Sequence, residues 1–308
     1  MTVPIRIGLI GLGKISVDQH IPSVAANRAF RLVGGVSPDH RVPGVDGFDS
    51  LDALLADRAL DAVAVNTPPQ VRFRLAQQAL LAGKHVLLEK PPCATLAQLD
   101  ELVRISQASG VSLYTAWHSQ HAPAVAPARA WLSGTRIRRI ELNWRENVRE
   151  WHPGQQWLWQ PGGFGVFDPG INAVSILTRI LPGTLVVERA VLRIPANGQT
   201  PIAADLEGSV GESGRLIGKL DFQQPGPPVW SIEIATDRGT MVIGSGGSEL
   251  LIDGERQHVG PADEYASIYR RFADLIRGGA SDVDATPLAV VADAFLIGER
   301  VRVAEFIE

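Results

Sequence analysis

Residues 8–16 read Gly8-Leu9-Ile10-Gly11-Leu12-Gly13-Lys14-Ile15-Ser16, and they continue directly from the apolar run Ile5 to Ile10. A short apolar run of this kind reads as a buried strand. Gly11 then permits a tight turn, and Gly13 lets a pyrophosphate approach the backbone. A helix starting here would offer that anion its free N–H groups and the positive end of its dipole. Ser16 stands where a third glycine is usual, and a residue this small still allows helix to pack closely on strand. Such loops also occur as plain turns, so the surroundings decide the reading.

Those surroundings alternate short apolar runs with longer amphipathic stretches. After Ile5 to Ile10 come Phe30 to Val36, Ala62 to Asn66, His85 to Leu88 and Val111 to Ala116 as strands. Leu51-Leu54-Leu55, Ala76-Ala79-Leu80 and Leu96-Leu99-Leu102-Val103 recur at helical spacing between them, with Gly83 and Gly110 where helices would end. Five strands joined by helical crossovers predict a doubly wound parallel sheet over residues 1–120, binding a dinucleotide.

Beyond residue 120 the texture changes. Ile137 to Trp144, Leu185 to Ile194, Arg215 to Phe222, Val229 to Ala235, Thr240 to Ile243 and Leu250 to Ile252 read as strands largely without helices between them. They predict an α+β domain over 121–308 with a large, mainly antiparallel open sheet. Tyr265 to Arg277 and Leu288 to Val303 read as helices.

Composition narrows the function. Of 308 residues, 45% are hydrophobic, enough for two sizeable cores, and the formal charge of -4 gives no global attraction for nucleic acid or anionic membranes. No apolar run approaches the roughly 20 residues that span a bilayer, and no secretory leader is evident at the start. The single cysteine, Cys93, cannot pair within the chain and reads as a buried packing residue. A soluble cytoplasmic protein is expected.

Cofactor choice turns on the end of the second strand, Val36-Ser37-Pro38-Asp39-His40-Arg41. Ser37 can bond a ribose hydroxyl or a 2′-phosphate, and His40 or Arg41 would add positive charge. Asp39 pulls toward NAD unless it merely serves the Pro38 turn. Acceptance of both NAD and NADP is expected.

Glu89-Lys90-Pro91, the glycine loop, Asn66-Thr67-Pro68 and the spacing from Gly163 to Asp168 together resemble the glucose–fructose oxidoreductase/inositol dehydrogenase (Gfo/Idh/MocA) family. The resemblance covers nearly the whole chain. It implies a Rossmann half followed by a sheet-rich half carrying substrate contacts and an oligomer interface. Trp117-His118-Ser119, the run 151–157 and Gly165-Val166-Phe167-Asp168-Pro169-Gly170-Ile171-Asn172 look like the bacterial members that oxidise L-arabinose or D-galactose. Such enzymes convert the C1 hydroxyl to an aldonolactone with NAD(P). The same fold would serve an inositol or other cyclic-polyol dehydrogenase, or a non-catalytic NADP-binding sugar sensor. Candidate cofactor contacts are Gly11, Gly13, Lys14, Ile15 and Ser37, with Thr67, Pro68, Glu89 and Lys90 at the next strand ends.

Oxidation at C1 needs a base for the hydroxyl proton and a pose that aims the hydride. Asp168 is the candidate base, although Asp168-Pro169 also reads as a helix N-cap followed by proline at N1. Lys90, at a strand's carboxyl end, is the second catalytic candidate, either as a cation on the sugar or as the base itself, against the plainer reading of an exposed Glu-Lys pair. Many family members carry histidine four residues after the aspartate. Here Asn172 stands there; it orients a hydroxyl but takes no proton. His118 is a candidate sugar contact or a core histidine, and pairing it with His121 leaves too few ligands for a metal. Trp144, Trp151, Trp157 and Trp159 crowd one stretch, and aromatic faces pack against pyranose C–H faces. Trp151, His152 and Glu146 are the candidates there, with sheet packing or a subunit interface as the alternative for the rest.

Overall fold

In the computed structural model, which describes residues 3–307, the opening apolar run forms strand β1 (Ile5–Ile10). It lies in a parallel sheet with β2 (Phe30–Val36), β3 (Ala62–Val65), β4 (His85–Glu89) and β5 (Leu113–Ala116), ordered β2-β1-β3-β4-β5. All five expected strands are present, and order reverses beside β1, the switch point where ligands of such sheets bind. The crossovers carry α1 (Ile21–Ala26), α2 (Leu51–Ala56), α3 (Pro69–Leu81) and α4 (Leu96–Ser109). Ser50 and Thr95 accept the N–H groups of Ala53 and Gln98 and so cap α2 and α4. The helix after the glycine loop is less regular than expected. Ser16–His20 is a wide π-helical turn that hands over to α1 at Ile21-Pro22, where proline supplies no N–H.

The chain divides into two units: Met1–His118 with Glu264–Ala285, and Ser119–Asp263 with Thr286–Glu308. A single cut at residue 120 therefore misses a returning segment. Its helix, α8 (Glu264–Gly278), buries Tyr265, Ile268, Tyr269 and Phe272, a stripe at i, i+3, i+4 and i+7. Tyr269 meets Phe30 at 5.4 Å between ring centroids, and Phe272 lies against both Phe30 and Tyr114. Past the helix, Asp282 pairs with the outer edge of β5 through Thr115 N–H and Leu113 C=O. The sheet thus has its edge covered by distant sequence.

The second unit opens with α5 (Val125–Leu132), β6 (Ile137–Arg145), α6 (Val148–Trp151) and α7 (Phe167–Ile180). The strands β7 (Leu185–Pro195), β8 (Ala203–Val210), β9 (Gly214–Asp221), β10 (Val229–Thr236), β11 (Thr240–Gly244), β12 (Glu249–Ile252) and β13 (Glu255–Arg256) follow. After α9 (Thr286–Ile297) comes β14 (Glu299–Val303). The nine strands form one sheet ordered β13-β12-β11-β10-β6-β9-β8-β7-β14, antiparallel except at β6–β9 and β7–β14. α7 is buried along most of its length, and Gly170 fits it against Leu220 of β9, where a Cβ would lie 2.7 Å from the leucine side chain.

One reading of this half needs correcting, and one strand lies where none is expected. Leu288 to Val303 is not one helix: it stops at Ile297, and Glu299–Val303 pairs in parallel with β7. Gly298 makes the break, since a Cβ there would meet the Ala294 carbonyl at 2.5 Å and Leu192 at 2.9 Å. β8 was not anticipated, because Ala203 to Val210 intersperses Asp205, Glu207 and Gly208 among its apolar residues.

Candidate active site

The glycine loop leaves β1 with Gly11 at φ +93, and a Cβ there would press on Thr67 and the Asn66 carbonyl carbon at 3.0–3.2 Å. Glycine is therefore needed both for its conformation and for the close approach of the β3 end. A Cβ on Gly13 would meet nothing within 4 Å, so its backbone borders open space. Ser16 is buried and donates its hydroxyl to the Gly11 carbonyl while accepting from the Asn66 amide nitrogen. The residue in the third-glycine place thus ties the loop to β3. Beside it, the Asn66 Oδ1 and Thr67 Oγ1 atoms are buried without a hydrogen-bond partner among the described residues. Unpaired buried acceptors and hydroxyls of this kind are costly unless a ligand completes them. The loop and these atoms fit a dinucleotide.

Lys14 is exposed and pairs with Asp18 one turn on, whereas Ile15 is half-buried at the start of the π turn. Ser37 is buried at the end of β2, and the Arg41 guanidinium donates to its carbonyl at 2.8 Å. A cation therefore stands at the end of β2, while Asp39 is exposed.

Arg72, on α3, gave no signal in the sequence, where it looks like an ordinary helix-surface charge. It is buried and donates to the carbonyls of Thr67, Glu89 and Pro91, clamping the carboxyl ends of β3 and β4 together. Pro68 stands at the N-cap position of α3, and the Lys90–Pro91 peptide is cis. Glu89 is not half of an exposed pair with Lys90. Its carboxylate is buried: Oε1 accepts from His20 and from the Tyr265 hydroxyl at 2.6 Å, and Oε2 accepts the Lys90 N–H at 2.7 Å. Burial alone would raise its pKa, but the His20 hydrogen bond, the charges of His20 and His118 and the Tyr265 hydrogen bond hold it down at about 2. Burial chiefly, with the Glu89 charge beside it, pushes Tyr265 and Tyr269 well above the usual phenol range. His118 stacks on Tyr265 and its Nδ1 lies 2.7 Å from Glu264. Cys93 is buried, its thiol pushed up to about 12 by desolvation against the opposing Arg72 charge, which suits packing and not a nucleophile.

In the second unit, the start of α7 is pinned from outside the helix. Val166 N–H donates to Pro201 C=O, and Gly165 N–H to Leu158 C=O. Helix α7 begins at Phe167, with Val166 at the N-cap, so Asp168 is not the capping residue. It sits within the first turn, 4% exposed, where the helix dipole favours its negative charge. Asn172 follows one turn later on the same side of α7 and is half-buried.

His152 brings the tryptophan-rich segment to Asp168. Glu146 N–H donates to Asp221 C=O and Val148 N–H to Phe222 C=O, which fixes α6 on the end of β9. The imidazole then leans on the Phe222 ring, with Nε2 at 2.9 Å from Glu146 Oε1 and Nδ1 at 3.9 Å from Asp168 Oδ2. The second Glu146 oxygen accepts the Trp230 indole N–H at 2.9 Å. Trp230 was not singled out from sequence; strand register places it opposite Trp144, and it also meets Trp151 edge-on at 4.9 Å. Trp151 is 40% exposed, while Trp159 packs between Phe222 and Phe306. Phe306 also lies under the Arg149 guanidinium. Glu146, Trp151, His152, Asp168 and Asn172 therefore belong to one unit, and Lys90 and His118 to the other.

A dinucleotide loop on a parallel sheet, followed by a large open sheet bearing a buried carboxylate beside an imidazole, defines a class of two-part oxidoreductase. The family model for oxidoreductases with an NAD-binding Rossmann fold, Gfo/Idh/MocA, matches residues 5–116, and the chain belongs to that family. It is 49% identical over 304 residues to galactose 1-dehydrogenase of Pseudomonas fluorescens, covering 98% of this chain and 99% of that one. The crystal structure of a D-galactose-1-dehydrogenase protein from Rhizobium etli superposes with a TM-score of 0.94 at 46% identity, covering 100% of this chain and 99% of that one. A 3-ketoreductase from Actinomadura kijaniata, solved with NADP and TDP-benzene, shares the fold at 19% identity, with a TM-score of 0.84 over 98% of this chain and 100% of its own. The protein is an oxidoreductase whose first unit is a nicotinamide-dinucleotide domain.

Proposed function

We propose that the chain is an aldose 1-dehydrogenase that oxidises D-galactose, and L-arabinose as a second substrate, to the aldonolactone. The observation that carries this reading is the buried Asp168 carboxylate beside His152, in a chain nearly half identical to a galactose 1-dehydrogenase. Asp168 takes the proton of the C1 hydroxyl. A bound oxidised nicotinamide, held by the Gly11–Ser16 loop, would supply the hydride acceptor for C1. Asn172 orients a sugar hydroxyl, Lys90 supplies a positive charge to the hydroxyls at C1 and C2, and Trp151 presents an aromatic face to the pyranose. Both oxygens of Glu146 are engaged by His152 and Trp230, which favours a supporting place for it over direct sugar contact.

Both NAD and NADP serve as cofactor in this reading. Buried Ser37 suits either ribose, and Arg41 beside it offers a cation to a 2′-phosphate. No helix among the described residues is long and apolar enough to cross a membrane. A cytoplasmic homo-oligomer joined through the second unit's sheet is proposed, whose outer face carries the exposed Val186 and Ile217. The deciding experiment incubates the protein with D-galactose, L-arabinose or myo-inositol and either cofactor, and follows reduced nicotinamide by absorbance. Turnover of the aldoses is expected. Turnover of inositol alone, or of nothing, rejects the reading, and light scattering after gel filtration tests the oligomer.

A further inference from the structure

We propose that Phe306 and Arg149 are positioning residues that hold the segment 148–160 in shape for sugar binding; this rests on the reading of Trp151 as a sugar contact. The segment cannot hold that shape by itself. Helix α6 is four residues long, and the turn that follows at Gln156–Trp159 is a 3₁₀ turn of the same length. Helices this short are not stable alone. Of residues 148–160, only Val148 and Leu158 are buried. With so little apolar burial, the segment depends for its place on partners from elsewhere in its unit.

Those partners form a strap made by residues 304–307 and the turn after β7. Ala196 N–H donates to the Val303 carbonyl, and Arg302 fixes the turn by donating to the Pro195 and Gly198 carbonyls at 3.1 and 2.9 Å. Asn197 then takes Phe306 in both directions. Its side-chain NH2 donates to the Phe306 carbonyl at 2.8 Å, and its Oδ1 accepts the Phe306 N–H at 3.0 Å. Held in this way, the Phe306 ring meets Trp159 at 5.1 Å and lies 4.6 Å from the Arg149 guanidinium. The next carbonyl, that of Ile307, accepts from Arg149 at 2.6 Å. Backbone bonds pin the two ends of the segment separately: Val148 to Phe222, and Leu158 and Trp159 to Thr200 and Gln199. Phe306 and Arg149 join those ends to each other and so fix the spacing of the stretch between them, which carries Trp151 and His152. Trp159 continues the line of rings through Phe222 to the His152 imidazole.

Phe306→Ala, Phe306→Tyr and Arg149→Met separate this role from mere packing. Hydrogen–deuterium exchange followed by mass spectrometry reads the segment directly, with no sugar present. In F306A the peptides covering residues 148–160 should exchange about tenfold faster, for loss of an aromatic pair and a cation–π contact together. Peptides covering α7 should exchange as in wild type. F306Y keeps the ring and should match wild type throughout. R149M alters an exposed side chain and keeps its aliphatic stem, so it tests the same contacts even where F306A folds poorly; a smaller rise is expected. With D-galactose, F306A should show a KM raised about tenfold. Its kcat should be unaltered, the mark of lost binding that is equal in ground and transition states. The dissociation constant for NAD or NADP should not move, because the glycine loop belongs to the other unit. Unchanged exchange at 148–160 in both F306A and R149M overturns the inference whether or not any sugar is turned over. So does faster exchange throughout the protein, which would make Phe306 a general packing residue, or a KM left as in wild type. Failure of wild type to oxidise any aldose rejects the proposed function instead, while the exchange data still decide whether the strap holds.

Discussion

Asp168 and Glu89 are both buried carboxylates in their own units, and they have very different neighbours. Asp168 lies in the first turn of α7 with an imidazole 3.9 Å away, the setting for its proposed part as the base. Asp168→Ala should cut kcat by about 100- to 10,000-fold, the range for losing a general base, and leave the dissociation constant for NAD or NADP nearly unchanged by fluorescence titration. Near-normal turnover in that variant would remove Asp168 from the chemistry. Glu89, by contrast, accepts three hydrogen bonds and stays ionised down to about pH 2. Because its folded pKa lies below the unfolded value near 4.5, its contribution to stability is fully present above that value. It is lost as pH falls toward 2. The melting temperature of Glu89→Gln should therefore trail wild type clearly at pH 7, and the gap should narrow as the pH drops below about 4. An equal gap across that range would contradict the assignment.

At the scale of elements, the parallel sheet was legible because each of its strands is a compact apolar run bounded by turn residues. The loop from Gly11 to Ser16 was legible for the same reason, as its function depends on small residues in sequence. β8 was hidden because an antiparallel strand with one wet face can carry Asp205 and Glu207 without an apolar run. β14 was hidden by Gly298, a single residue whose effect depends on Ala294 and Leu192 being close in space. Propensity and packing disagree about Gly298→Val. A β-branched residue next to β14 would favour strand on propensity alone. The clash with Leu192 and the Ala294 carbonyl should win, lowering stability by roughly 1–3 kcal/mol in urea unfolding. A stabilised variant would mean that the contact relaxes freely. The same limit applies to side-chain contacts: Asp168 and His152 can be picked out by residue type and order, whereas Trp230 and Arg72 have partners far along the chain that no local pattern shows.

At the scale of the molecule, the sequence shows a change of texture near residue 120, but it does not show α8 as part of the first unit. Its amphipathic stripe shows that it packs, and nothing local shows on which sheet. A fragment of residues 1–120 would contain every strand of the parallel sheet and leave Phe30 and Tyr114 without Tyr269 and Phe272. It should be aggregation-prone or lack a cooperative unfolding transition, and adding residues 264–285 through a flexible linker should restore one by circular dichroism. A cooperative transition in the short fragment would show that the sheet's core is complete without α8.

The return of α8 also sets an order of events at the ribosome. The last strand of the parallel sheet is synthesised by residue 116, and the helix that covers its aromatic residues is finished only at residue 278. At about 5–20 residues per second, that interval lasts on the order of ten seconds. Throughout it the nascent chain carries an uncovered apolar face and an unpaired β5 edge while the second sheet emerges. The late helix thus makes the protein's earliest-made half one of the last to be completed, and gives chaperones a defined window in which to hold it.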